Sequence, residues 1–425
     1  MYEWAITGMW AVIVSAVFPI YYQGVLAAGQ EATVALRNFS YATTLGIVGI
    51  GVTAPLLGAI TDRAPLKKRL LALFAGLGIS GAALLFFATE GQALLGLTLF
   101  VVVNIGANGS VVFYDALLPH LASSDEVDRV STGAFAVGYL GAGLLLAACL
   151  WVIQMPTLFG LPEGTLAVRL SFVAVAVWWA VFSIPLLLRV PEPTPEGLPG
   201  EVVGTRLLSF ALSRIQSTFR ELRSYRNAFL LLLAYLVYGD GIGTIIRMAS
   251  IYGAELGIGR GHMIGAIVLV QFVGVPFSFL FGSLAGRVGT KRAIFLGIAV
   301  YGFVTLVAFF MTSALHFWIL AFLVGTVQGG TQALSRSLFA SMIPAYKSGE
   351  LFGFYGVMDK FSGMFGPLVM GLVAAQSGSS RLGILSVLLF FVGGAILLWF
   401  VDEEEGRAVA RAAQDQARPL KVRKV

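Results

Sequence analysis

The sequence predicts an all-α membrane protein whose twelve transmembrane helices form two six-helix repeats, with both termini on the cytoplasmic side. Three observations predict it. Apolar blocks of spanning length recur along the whole chain, Lys and Arg crowd alternate connections, and the two halves match at a single offset of 224 residues. Of the 425 residues, 58% are hydrophobic and only 12% are charged, whereas a water-soluble domain carries about 25% charged residues. Blocks of roughly 20 apolar residues are what about 30 Å of hydrocarbon requires. The 51 glycines fit close approach of helices within a bilayer.

Taken in order, apolar windows place the first six spans near 4–22, 38–60, 70–88, 92–114, 131–154 and 167–188. Six more follow near 227–252, 262–285, 292–311, 316–340, 350–375 and 382–401. The opening Met1-Tyr2-Glu3-Trp4 lacks the cationic start of a secretory signal, so the first apolar run is expected to be retained. Cys149 is the one cysteine; it cannot make an intramolecular disulfide and reads as a small packing residue. Trp4, Tyr21, Tyr22 and Trp399 near span ends read as interfacial anchors.

Charge orients these spans. With the N-terminus inside, 22 of the 28 Lys and Arg fall in cytoplasmic segments, four on the other side, and Arg247 and Lys360 within spans. That asymmetry puts both termini in the cytoplasm under the positive-inside rule, and so requires an even number of crossings. It also assigns the net charge of +6 to topology and anionic lipid rather than to nucleic acid.

At the 224-residue offset Gly58 matches Gly282, Arg63 matches Arg287, Lys67 matches Lys291 and Lys68 matches Arg292. Asn104 matches Gln328, Gly106 matches Gly330, and Asn108 matches Gln332. The chain therefore divides into a six-helix half at 1–189, a cytoplasmic linker at 190–226, a second half at 227–401 and a charged tail at 402–425. The linker opens with a proline-rich stretch, then places Leu208, Ala211, Leu212, Ile215, Phe219 and Leu222 at helical spacing beside Arg214, Arg220 and Arg223. Two seats fit that amphipathic helix, the anionic leaflet surface and the underside of the bundle. The tail is expected to be mobile, with its cations available to anionic headgroups.

Several residues could carry transport. The loop Gly58-Ala59-Ile60-Thr61-Asp62-Arg63, followed by Lys67-Lys68-Arg69, offers a carboxylate near a helix end to several cations. It resembles the gating signature between spans two and three of the major facilitator superfamily; in the second copy Gly286 replaces the Asp. The alternative is a cationic loop that only sets topology. Asp240 lies midway along span seven, among Gly239, Gly241 and Gly243. A charge at that depth is costly and faces a cavity or a partner, and the glycines predict a broken or bending span there. Arg247 follows two turns later on the same face. Asp240 reads as a proton or ammonium site and Arg247 as a carboxylate site or outer gate; the alternative is structural pairing with Asp359 and Lys360 of span eleven.

Spans four and ten carry polar stripes, Asn104, Asn108 and Asp115 on one and Gln328, Gln332 and Ser335 on the other. They either line a central cavity or hydrogen-bond between helices. Gln271 of span eight is a further candidate. Arg336, near the inner end of span ten, either snorkels to the lipid surface or serves a gate, and Asp115, at the inner end of span four, is a gating candidate as well.

Enzyme signatures are missing. His120, His262 and His316 are far apart, no His, Cys and carboxylate cluster has metal-site spacing, and neither a phosphate loop nor a nucleophile elbow occurs. No enzyme activity and no cofactor are expected. A gradient, with protons the first candidate, drives transport unless a separate ATPase docks underneath.

FYDALLPHLA at 113–122, YGDGIGTIIRMASIY at 238–252, QGGTQALSRSLFASMIP at 328–344 and GELFGFYGVMDKFSGMFGP at 349–367 are the most distinctive strings. They resemble the "unknown major facilitator" branch of the superfamily, which also holds autophagy-linked vacuolar amino-acid effluxers. The resemblance implies the major facilitator fold and movement of amino acids or similar small zwitterions. The opening Tyr2-Glu3-Trp4-Ala5-Ile6-Thr7 departs from the Tyr-Asp-Trp-Ala-Asn-Ser pattern of the branch. The leading expectation is a secondary transporter of a small zwitterion in the inner membrane. An exporter of amphipathic compounds or lipids, for which the 32 phenylalanines suit a wide aromatic cavity, and a non-transporting receptor or scaffold are the alternatives.

Overall fold

The computed structural model describes residues 1–123, 126–193, 222–362 and 364–417, and among them every regular element is helical. Helix α1 is Tyr2–Leu26, α2 Ala32–Arg63, α3 Lys67–Phe87, α4 Ala93–Leu121, α5 Val127–Gln154 and α6 Leu166–Arg189. Beyond the linker, α7 is Arg226–Glu255, α8 Arg260–Val288, α9 Thr290–Phe309 and α10 Ala314–Ser341. Then come α11a at Ser348–Phe361, α11b at Phe365–Ser377, α12 at Ser380–Trp399 and α13 at Glu403–Ala417. The sequence expectation for 194–221 and 418–425, which includes most of the amphipathic linker helix, lies outside the described residues.

Ten of these helices are long and apolar enough to cross a membrane among the described residues: α1, α3 to α10, and α12. Helices α2 and α11a–α11b stand where the second and eleventh spans were expected. The eleventh is interrupted. Its pieces have 14 and 13 residues, about 20 Å each at 1.5 Å per residue, so neither alone covers about 30 Å of hydrocarbon. Pro367 sits in the first turn of α11b, the one place where a helix tolerates a residue without an N–H. The glycines around Asp240 had predicted a break in span seven. Instead α7 runs unbroken for 30 residues, and Gly239 and Gly241 serve close packing on Ser362 and on Phe391 of α12.

Two large apolar cores form, one of residues from α1 to α6 and one dominated by residues from α7 to α12, with a third small cluster of Ile50, Ala54 and Val112. The helix neighbours recur between them. Pairs α3/α4, α3/α6, α2/α4 and α1/α6 have counterparts in α9/α10, α9/α12, α8/α10 and α7/α12, and α1/α5 corresponds to α7 with both pieces of α11. Contacts between the two sets run chiefly through α2 with α11a, α5 with α8 and α10, and α4 with α11a. Gly289, at φ 93°, alone connects α8 to α9, a conformation open to glycine.

Both ends of the described chain lie at one end of the bundle, here the termini end, together with the α2–α3 and α8–α9 turns. The tail, expected to be mobile, is helical as far as Ala417 and is docked there. Asn227 Nδ2 donates to Glu405 at 2.9 Å, the Asp402 amide donates to Asn227 Oδ1 at 2.8 Å, and the Ala345 amide donates to Gln414 Oε1 at 2.9 Å. Tyr21 and Tyr22, expected at the interface, are buried inside the first core, while Trp399 is 73% exposed as an anchor would be.

Candidate solute site and inter-half latches

At the termini end, the Asp62 carboxylate reaches across from α2 to the first turn of α11a. It accepts the Gly349 and Glu350 amides at 2.8 Å each, so it occupies the positive end of a helix dipole. Lys67, at the start of α3, pairs with Asp62 at 2.8 Å. An ammonium has three protons and accepts nothing; the other two go to Ser348 Oγ at 3.0 Å and His120 Nε2 at 3.1 Å. His120 Nε2 is therefore an acceptor here. The Ser348 hydroxyl donates in turn to the Ala116 carbonyl at 2.8 Å, tying α11a to α4 as well. Asp62 is 7% and Lys67 3% exposed, so this pair works in a medium where its strength far exceeds that of a surface pair.

The helices meet closely enough there that no side chain fits at Gly58, where a Cβ would strike the Gly349 carbonyl. Its repeat partner Gly282, on α8, lies in the same way against Thr132 of α5. Both glycines thus mark crossings between the halves. Gly58→Ala would have to push α2 from α11a, and overpacking of this kind costs about 1–3 kcal/mol. The expected result is about fivefold or greater acceleration of maleimide labelling at a Val112→Cys probe, buried behind this crossing, in a Cys149→Ser chain.

A second latch surrounds Arg336 of α10. Its Nη1 donates to Glu3 Oε1 of α1 at 2.5 Å and to Asp115 Oδ1 of α4 at 2.9 Å, while Nε donates to Ser131 Oγ of α5 at 3.1 Å. The guanidinium also lies over the Phe135 ring, 4.6 Å from its centroid, a cation–π contact. Arg336 is 4% exposed, so it does not snorkel to lipid; the acids of the other half hold it inward. Beside it, Ser131 Oγ donates to the Ala333 carbonyl at 2.8 Å. Asp128, at the start of α5, accepts from Ser337 of α10 and from Thr290 of α9.

The second copy of the loop signature is built differently. Lys291 turns to its own half, donating to the Trp399 and Val401 carbonyls at 2.8 and 2.7 Å and so closing the end of α12. Arg287 is exposed, and Lys68 gives its backbone N–H to Glu192 at 3.1 Å. Gly286 offers no acid, and Asp128 supplies one from the facing helix instead. Of the cations proposed for gating, the structure thus brings Arg336 to acids of the other half, and Lys67 to Asp62 of its own half, which itself bridges to α11a. The side chains of Arg63 and Lys360 lie outside the described residues.

In mid-bundle, Asp240 accepts the Phe365 and Gly366 amides at 3.0 and 2.8 Å and so caps α11b. A Cβ on Gly366 would strike Thr244 Oγ1, so α7 and the start of α11b touch directly. Asp359, near the end of α11a, is half-buried and accepts from Tyr235 Oη at 2.7 Å. Both carboxylates act on Arg247, which is exposed on the same side of α7. Tyr235 stacks on Tyr355 with ring centroids 5.1 Å apart, and Tyr238 bonds Ser335 at 2.5 Å. One guanidinium, two carboxylates and three tyrosines therefore gather around the break in α11. Losing the Asp240 cap should cost about 1.5–3 kcal/mol, the range for a hydrogen bond to a charged group. Asp240→Ala should accordingly unfold at lower temperature than Asp359→Ala when both are melted in detergent.

The polar stripes separate. Asn104 bonds the Phe100 carbonyl of its own helix at 2.9 Å and packs on Gly46 of α2, and Asn108 bonds the Asn104 carbonyl at 2.8 Å. Gln328 lies near Tyr139 of α5, across the halves, and Gln332 is half-buried. Asn108 Oδ1 and Gln271 Oε1 are buried with no hydrogen-bond partner among the described residues. Asp115 leaves its stripe for the Arg336 latch.

Sequence reasoning missed Glu3, Asp128, Ser131, Ser348 and His120 in these clusters. Glu3 had a signal, an acid in the first turn of a span. The other four lie in or next to the first or last turns of helices, where polar residues are common and do not announce a partner.

A family model described as "Vacuole effluxer Atg22 like" matches residues 31–411. A protein named "Uncharacterized MFS-type transporter YxiO", from Bacillus subtilis (strain 168), is 36% identical over 417 residues, covering 98% of this chain and 96% of that one. Autophagy-related protein 22 of Coccidioides immitis (strain RS) is 24% identical over 448 residues, covering 87% of this chain and 73% of that one. Among solved structures, the proton:xylose symporter XylE aligns with TM-score 0.70 at 14% identity, over 96% of this chain and 95% of that one. The human organic anion transporter MFSD10 aligns with TM-score 0.66 at 17% identity, over 93% and 97%. The fold is thus that of the major facilitator superfamily, and the chain belongs to the Atg22-like vacuole effluxer family within it.

Proposed function

We propose that this protein moves a small zwitterion, of the amino-acid class, across the inner membrane by alternating access, driven by a proton gradient. In this reading α2 and the paired α11a–α11b complete twelve crossings, and the termini end faces the cytoplasm. The cations of the linker and tail then meet anionic lipid headgroups. The observation that carries the proposal is the set of opposite charges around the break in α11. Arg247 offers a fork suited to a carboxylate, and half-buried Asp359, oriented by Tyr235, offers a carboxylate to an ammonium group. Asp240, the first candidate for that role in the sequence, spends its oxygens on the α11b backbone. It therefore shapes the site, and Asp359 takes the ammonium. A broken helix at the midplane is where such transporters place their substrates.

The two latches supply the other requirement, a closed end that can open. Counterflow tests the reading. Proteoliposomes loaded with unlabelled amino acids should accumulate the labelled ones, and Asp359→Asn and Arg247→Gln should each slow this about tenfold or more, the effect of losing one charge-assisted hydrogen bond. If no amino acid shows counterflow with the wild-type chain, the substrate class is wrong.

A further inference from the structure

We infer that Glu3 and Asp115 form a proton-binding pair: while the termini end is closed they share one proton, and opening that end releases it. This rests on the transporter reading only in that the end must open. Both carboxylates bond the same nitrogen of Arg336, Nη1. The rest of the guanidinium is engaged by Ser131, through Nε to its hydroxyl and Nη2 to its carbonyl at 3.5 Å. One positive charge thus faces two negative ones, and Glu3, Asp115 and Arg336 are 8%, 7% and 4% exposed. A carboxylate buried without a counter-charge is strongly unfavourable. Two carboxylates facing a single cation resolve this by holding one proton.

Thr7 Oγ1 donates to Glu3 Oε2 at 3.5 Å, a neutral donor that supplies no counter-charge. From α11a, Asp359 adds a further negative charge near Asp115. Tyr2 of α1, Tyr114 of α4 and Tyr139 of α5 bring neutral hydroxyls that feel the same charges. Asp128 of α5 is occupied by Ser337 and Thr290. The Met1 amine also acts on Glu3, and burial lowers its own tendency to hold a proton. Lys360 follows Asp359 on α11a, with its side chain outside the described residues.

Glu3 and Asp115 belong to the first half and Arg336 to the second. Parting the halves withdraws Arg336 and admits water, which solvates both carboxylates as anions. The closed end therefore binds one proton more than the open end, so acid favours closure and base favours opening. For one linked proton, the ratio of closed to open changes by up to about tenfold per pH unit.

The test needs no solute. Spin labels on Arg69→Cys of α3 and Arg292→Cys of α9, both exposed at the termini end, report the separation of the halves in a full-length Cys149→Ser chain in lipid nanodiscs. Distances are measured by double electron–electron resonance from roughly pH 5 to 9, a window spanning the carboxylate and histidine ranges. The short distance should dominate in acid and give way to a longer one as pH rises. In Glu3→Gln and in Asp115→Asn, each retaining one carboxylate opposite Arg336, the distribution should no longer depend on pH. A wild-type distribution that ignores pH, or a pH response kept by either variant, overturns the proposal. Failure of amino-acid counterflow would leave this result standing, so the two readings fail separately.

Discussion

Replacing Arg336 by alanine is expected to shift the termini end from closed to open by a factor of about 10² to 10³. The figure follows from removing one partner of a buried ion cluster, which costs about 3–5 kcal/mol because the remaining charge stays behind without compensation. Here two acids remain, Glu3 and Asp115, with Ser131 also losing the guanidinium. Arg336→Lys should recover only part of the loss. An ammonium lacks the planar fork that serves Ser131 and both acids at once. The same spin-label pair reads the shift, and amino-acid counterflow should fall with it because a carrier held open at one end cannot cycle. A closed distance unchanged in Arg336→Ala would mean that this cluster does not hold the end shut.

The second large effect is expected at Asp62. Asp62→Asn keeps a carbonyl for one backbone amide of α11a but turns an NH₂ group toward the other amide or toward the Lys67 ammonium. Lys67 is then a buried cation with no acid beside it, and the same few kcal/mol apply. Lys67→Met should be milder, because Asp62 would still hold the Gly349 and Glu350 amides at the positive end of α11a. The ordering is the check. If Lys67→Met opens the end as far as Asp62→Asn does, the ammonium rather than the carboxylate is the keystone of this latch. Combining the two substitutions should be less harmful than their sum, since the double variant leaves no unpaired charge.

Much of this was legible in the residues. Apolar blocks identify membrane helices because nothing else in water tolerates them, and ten of the expected spans are present on that criterion. The repeat was legible because Gly58 and Gly282 answer to the same constraint, a crossing with a helix of the other half. Asp62 and Lys67 were identifiable as a pair because an acid at a helix end followed by cations is a local pattern. The partner of Asp240 was not legible, and Arg336 could be read only as one of two alternatives, a snorkelling cation or a gate. Three glycines beside an acid predicted a broken span seven, yet the break lies in the helix that Asp240 caps, more than 120 residues further along the chain.

By itself, then, the sequence determined the elements: apolar helices of spanning length, their duplication, and a small set of charges too costly to bury unpaired. Tertiary structure alone decided which charges pair. Glu3, Asp115 and Arg336 come from α1, α4 and α10, and Asp62 finds its donors in the backbone N–H groups of α11a. Burial cost is a property of one residue and can be read locally, whereas the partner that relieves it is set by the packing of helices distant in sequence.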